Sequence, residues 1–197
     1  MSVLVTQTPP SAEPLTVGDV ATKLHIRVDT SDDDALIESY IAAAREYIEG
    51  QTHLRLMTQT VRLNLRDFWP VGACGIVLPV GPIQAVSAVR YMDAGGLWQT
   101  LSADSYELMQ SKRPAQLRPA YGLTWPAVRT GQDAVQIDLV VGFGDAQHHV
   151  PPGLLQAMRL IVAHWYGPAG RESATAKSMS EIPFGVAAMI GPHRLWI

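Results

Sequence analysis

Chemistry in this chain would have to come from a few side chains. His148 and His149 are adjacent, Cys74 is the only cysteine, Asp32, Asp33 and Asp34 form an acidic run, and Gly142-Phe143-Gly144 closes an apolar stretch. Adjacent side chains on regular structure point apart, so the two histidines do not readily share a metal. No cysteine or carboxylate stands at zinc-ligand spacing from them either. The aspartates lack the glycine at the sixth position and the glutamate at the twelfth that a calcium loop requires. They follow Ser31 where a helix start favours negative charge, and they read as capping. Gly142-Phe143-Gly144 superficially resembles a dinucleotide fingerprint, but the third glycine would fall at Gln147, and Pro151 and Pro152 intervene before a helix. There is no Gly-Lys-Ser/Thr phosphate loop and no Gly-x-Ser-x-Gly elbow. Cys74, in a glycine-rich turn, could meet a histidine in space as a nucleophile, but a lone cysteine more often reads as packing. His164, between Ala163 and Trp165, reads as a hydrogen-bonded core or interface residue. Trp69, Trp98, Trp125, Trp165 and Trp196 are spread along the chain, which suits packing and interface anchors better than a platform for stacking bases. No nucleophile, base and orienter assemble, so no catalytic residue, metal site or cofactor is expected.

The elements that would carry these residues are organised around Ala134 to Gly167. Val135, Ile137, Leu139, Val141 and Phe143 alternate with Gln136, Asp138, Val140 and Gly142, the period of a strand with one buried face. Pro151 and Pro152 then mark the entry of a helix over about 153–166. Between Leu154 and Tyr166 only Gln156, Arg159 and His164 are not apolar. Such a helix is buried on more than one side: one side faces its own domain, the other a second layer or a neighbouring subunit. Upstream, residues 1–14, with Pro9, Pro10 and Pro14, read as a flexible arm. Thr16 and Asp19 have capping-box spacing, flanked by Leu15 and Val20, for a helix over about 16–27. A longer helix, about 32–52, carries Leu36, Ile37, Tyr40, Ile41, Ala44, Tyr47 and Ile48 on one stripe, with Glu38, Arg45, Glu46 and Glu49 mostly opposite. Residues 58–144 hold strand signals broken by turns, among them Ile83 to Met92, a hairpin turn at Asp93 to Gly96, and Leu97 to Leu101. The expected fold class is α+β: a small helical bundle of about three helices, with an antiparallel β module inserted between the second and third, and an extended C-terminal tail.

The tail has two parts. Gly167 to Glu181 is rich in Gly, Ala, Ser and Thr and reads as a flexible linker; Ile182 to Ile197 turns apolar again. That end either folds back on its own core or docks on another protein. A length of 197 residues suits one domain, or one domain with a tail, and 47% hydrophobic residues with a mean hydropathy of +0.07 suit a folded, soluble chain. No apolar run approaches the ~18 residues of a membrane span. The N-terminus has no basic-then-apolar signal, and the single cysteine agrees with a reducing cytosol. A net charge of −3 with no basic block argues against a surface that grips a phosphate backbone.

In their order, these stretches resemble the head-tail connector, or adaptor, proteins of long-tailed bacteriophages and gene transfer agents. The matching segments are Leu15-Thr16-Val17, Asp33-Asp34-Ala35-Leu36-Ile37, Ala42-Ala43-Ala44-Arg45-Glu46-Tyr47-Ile48-Glu49, and Leu78-Pro79-Val80-Gly81-Pro82-Ile83 before a strand ending at Tyr91. Trp125-Pro126, Val141-Gly142-Phe143-Gly144, Val150-Pro151-Pro152 and His164-Trp165-Tyr166 continue the set. It closes with Ala187-Ala188-Met189-Ile190-Gly191-Pro192-His193-Arg194, where His193 stands in place of a more usual aromatic. The resemblance covers nearly all of residues 15–197; the arm and residues 104–131 depart from it and receive no family role. It implies a non-enzymatic ring, usually of twelve subunits, below the portal, joining the DNA-filled head to the tail. Double-stranded DNA would pass through the lumen without sequence-specific binding. The expected partners are other copies of the chain, the portal protein and a stopper or tail-completion protein; no membrane and no cofactor is implied. The place would be the neck of a virion or virus-like particle, assembled in the bacterial cytoplasm. Residues 182–197 would be the portal-docking tail, with Phe184, Ile190, Pro192, Arg194 and Trp196 as anchors, since aromatic and arginine residues dominate hot spots. Tyr40, Tyr47, Met158 and Trp165 are the subunit-interface candidates, in a heterologous interface that must close into a ring. Two alternatives stand beside this: a tail-completion or stopper protein of the neck, and a small hydrolase or binding domain using Cys74, His148 or His149.

Overall fold

The computed structural model describes residues 3–24, 31–68, 75–129, 131, 133–166 and 184–196. The fold is α+β, in two units that interleave along the chain. A sheet unit takes Met1–Ser11, Thr58–Phe143 and Leu195–Ile197; a helical unit takes Ala12–Met57 and Gly144–Arg194.

The sheet unit is built on β8 (Val135–Val141), whose Val135, Ile137, Leu139 and Val141 all point into the core. On one side lies β2 (Gln59–Leu65), whose Val61 and Leu63 are buried while Arg62 and Asn64 face the other way. On the other lies β4 (Ile83–Met92). Its core-facing residues are Ile83, Val86, Val89 and Tyr91, three apart before they are two apart. Two register shifts explain this: each inserts an extra residue into β4, so a stretch without strict alternation still lays its large side chains opposite those of β8. Asp93 to Gly96 turns β4 into β5 (Trp98–Thr100), with the Leu97 N–H donating to Asp93 Oδ1 at 3.0 Å. The outermost strand on the β2 side is β1 (Val3–Thr8), which makes the five-stranded order β1-β2-β8-β4-β5, antiparallel throughout.

The arm expected at residues 1–14 is therefore structured over Val3–Thr8. Its β-branched Val3, Val5, Thr6 and Thr8 favour extended backbone, and Leu4 pairs with Leu63 and packs on the core. A smaller sheet holds β3 (Ile76–Val77), β6 (Tyr106–Met109) and β7 (Gln116–Pro119) in the order β3-β7-β6. It contributes Ile76 and Leu117 to the core, where Phe68 stacks on Trp125 with centroids 4.5 Å apart.

In the helical unit, α1 (Val17–Leu24) starts at the expected capping box. The Asp19 N–H donates to Thr16 Oγ1, and the Thr16 N–H donates to Asp19 Oδ2, both at 3.1 Å. Helix α2 (Ser31–Thr52) buries Ile37, Ile41, Ala44 and Ile48 at helical spacing, while Leu36 is exposed. Helix α3 (Pro152–Tyr166) is central: α1, α2 and a further helix, α4 (Phe184–Ile190), each pack against it. The tail is thus not wholly extended. Its Val186 and Ile190 are buried, and the apolar surplus of α3 meets helices of its own chain. The sequence marks α4 with Pro183 before it and Gly191-Pro192 after it, an ordinary start and stop. The 167–181 linker lies outside the described residues.

Candidate docking surface

The C-terminal segment divides by exposure. Phe184 opens α4, and its side chain lies outside what is described. Ile190 is 8% exposed and lies within the helical unit. Gly191–His193 then forms a single 3-10 turn, with the Arg194 N–H returning to the Gly191 carbonyl at 3.2 Å. Pro192 and Arg194 are exposed, Leu195 is buried, and Trp196 is 77% exposed. Trp196 thus follows a buried leucine and presents most of its surface outward, and exposed aromatic residues are the kind that anchor interfaces.

The four helix candidates differ in the same way. Tyr40 on α2 and Trp165 on α3 are half-buried and meet with ring centroids 6.0 Å apart and planes at 58°. The Trp165 Nε1–H is buried and has no acceptor among the described residues. Tyr47 is half-buried on α2, whereas Met158 is fully buried in the helical unit.

Sequence periodicity missed a polar cluster on the supposed solvent face of α2. Arg45 Nε donates to Glu13 Oε2 at 2.8 Å and Nη1 to Glu49 Oε2 at 3.3 Å; Arg55 approaches Glu49 at 3.7 Å. Glu49 also accepts the Leu56 N–H at 2.8 Å. Burial pushes Glu49 above the ordinary glutamate value, outweighing the Leu56 hydrogen bond and the charges of Arg45 and Arg55. Burial lowers Arg45, but the hydrogen bond to Glu13 and the charges of Glu13, Glu49 and Glu46 prevail and hold it above its ordinary value. The cluster ties the chain entering α1 and the chain leaving α2 to the middle of α2. The i,i+4 spacing of Arg45 and Glu49 was its only local signal.

The chemical candidates stay apart. His148 and His149 lie in a 3-10 turn with ring centroids 4.2 Å apart, so they face each other instead of pointing apart as on a regular element. Both are exposed, and among the described residues no three His, Cys, Asp or Glu side chains converge as a metal site requires. Gly144 explains the Gly-Phe-Gly run: its φ is +155°, and a Cβ there would overlap the His149 ring. Trp69 and Cys74 lie outside the described residues.

Comparison with known proteins follows the architecture. A family described as phage gp6-like head-tail connector protein matches residues 20–91. A chain from the virion of a native gene transfer agent particle is 30% identical over 99% of this chain and 96% of its own, with a TM-score of 0.77. A chain from the neck of an empty gene transfer agent particle, computed with C6 symmetry, is 29% identical over 99% and 96%, with a TM-score of 0.78. One from the neck of a native particle, computed with C12 symmetry, is 31% identical over 100% and 96%, with a TM-score of 0.73. No curated protein sequence matches.

Proposed function

This chain belongs to the head-tail connector family of phages and gene transfer agents and has a structural connector role; from that premise we propose that copies of it close into a ring, twelve in number, in the neck of a particle. The observation that carries this reading is the 31% identity, over all of this chain, to a component of a neck computed with C12 symmetry. In the proposed assembly the ring sits below the portal and passes double-stranded DNA without gripping it, in keeping with a net charge of −3. Assembly takes place in the bacterial cytoplasm. The role needs no catalysis, since the family and these neighbours are structural parts of a virion.

For the portal contact we infer that the exposed end of the tail, Pro192, Arg194 and Trp196, makes first contact. Phe184 and Ile190 act with them only if α4 leaves α3. The test is to mix portal rings with the full-length chain and with an Arg194→Ala/Trp196→Ala variant, and to image both by electron microscopy. A second ring under the portal with the full-length chain, lost in a variant that melts normally, is the expected result. A full-length chain that stays folded and binds only below a preformed adaptor ring overturns the adaptor reading in favour of a stopper.

A further inference from the structure

We propose that the five-stranded sheet continues from one subunit to the next, with the outer edge of β1 taking the outer edge of β5 of a second copy. This rests on the ring reading above and names the surfaces that close the ring.

Proteins protect exposed sheet edges with charges, prolines, bulges or a covering element, because an unguarded row of N–H and C=O groups pairs with whatever strand arrives. Neither edge of this sheet carries the first two devices. β1 reads VLVTQT and β5 reads WQT, without a charge or a proline in either. Among the described residues no strand pairs with the outer edge of β1 or of β5. Both strands are exposed, with Val3 at 48%, Val5 at 40% and Trp98 at 46%.

A ring of identical subunits is built from two unlike surfaces on each subunit, and the two ends of one sheet are such a pair. Strand direction fits as well. Every neighbouring pair is antiparallel, so β1 and β5, the first and fifth strands, run the same way. A second copy set edge to edge with its sheet facing alike therefore brings β5 beside β1 in parallel. The side chains match too. Leu4 faces the core, so Val3 and Val5 lie on the opposite face; Tyr91 faces the core and pairs with Gln99, so Trp98 and Thr100 lie on that same opposite face. The seam gathers Val3, Val5 and Trp98 on one face, where each covers apolar surface the isolated subunit leaves wet.

The test uses the full chain in a Cys74→Ser background with Val5→Cys and Thr100→Cys, assembled alone or on portal rings and treated with a flexible bismaleimide. The double variant is expected to give a covalent ladder extending to the whole ring, and each single variant no ladder. A ring that forms but yields no ladder overturns the seam and leaves the ring reading standing. A chain that forms no ring under either condition overturns both. As a second arm, Val5→Lys/Trp98→Lys is expected to remain a folded monomer by circular dichroism and to lose the ring peak in size-exclusion chromatography; undiminished ring formation overturns the seam.

Discussion

Arg45 and Glu49 form a buried pair whose two halves respond differently to substitution. Arg45→Ala removes the nearer of two arginines from buried Glu49, which keeps Arg55 and the Leu56 N–H, and losing that charged hydrogen bond destabilises by about 1.5–3 kcal/mol; urea unfolding at neutral pH measures it. Glu49→Gln retains an oxygen for the Leu56 N–H and removes the charge, so its effect at neutral pH stays within about 1 kcal/mol. Its pH dependence is diagnostic. Folded Glu49 takes up its proton at a higher pH than the ordinary 4.5 of the unfolded chain. Across the window from 4.5 up to the folded value the native state holds more protons, and this residue's contribution to stability falls as pH rises. The wild type should therefore lose ground to Glu49→Gln on going from pH 4.5 upward; parallel stability curves for the two proteins would contradict the assignment. At Gly144 the same logic of local geometry applies. Gly144→Ala forces a side chain onto a left-handed φ and into the His149 ring, and a loss of about 1–3 kcal/mol in thermal unfolding is expected, with only part returned by adding His149→Ala.

At the scale of elements, α4 decides whether the tail is a free appendage. Its Val186 and Ile190 are buried in the helical unit, so cutting the chain before Phe184 should lower the melting temperature, whereas cutting after Arg194 should not expose α3. Equal melting of the two truncated chains would show that α4 contributes nothing to the fold. Elements with strong local signals were legible in the sequence: the Thr16 capping box, the apolar α3, the β4 hairpin and its Asp93 to Gly96 turn all follow from short-range chemistry. What escaped depends on partners far along the chain. The six residues of β1 are too few to stand as a strand without β2 fifty residues later, and beside Pro9 and Pro10 they read as an arm. Glu49 has the helical phase of a solvated residue until Arg45, held by Glu13, and the Leu56 N–H meet it. In β4 two bulges break the alternation on which a strand's buried face is read. The docking candidates were legible as residue types, but only packing separates the buried Met158 and Ile190 from the exposed Trp196.

For the molecule as a whole, the exposed end of the tail and the buried helix before it predict two separable phenotypes. Trp196→Ala should weaken portal capture by more than about tenfold, the scale of an interface hot spot, as titration of labelled portal rings would measure on a chain that circular dichroism shows to be folded. Ile190→Ala should lower the melting temperature before it touches capture, because its side chain is packed at home. The interleaving of the two units has a further consequence, for the order of events during synthesis. The sheet unit waits from Ser11 to Thr58 for its second segment, and β8, the strand that joins β2 to β4, emerges only after Ala134. The helical unit in turn begins at Ala12 and lacks its central helix until Tyr166 has left the ribosome. At roughly 5–20 residues per second, a nascent chain therefore spends most of its translation with neither unit complete, and both close almost together at the end. Neither unit is contained in one unbroken stretch of chain, and even Thr58–Phe143, which holds most of the sheet unit, lacks β1.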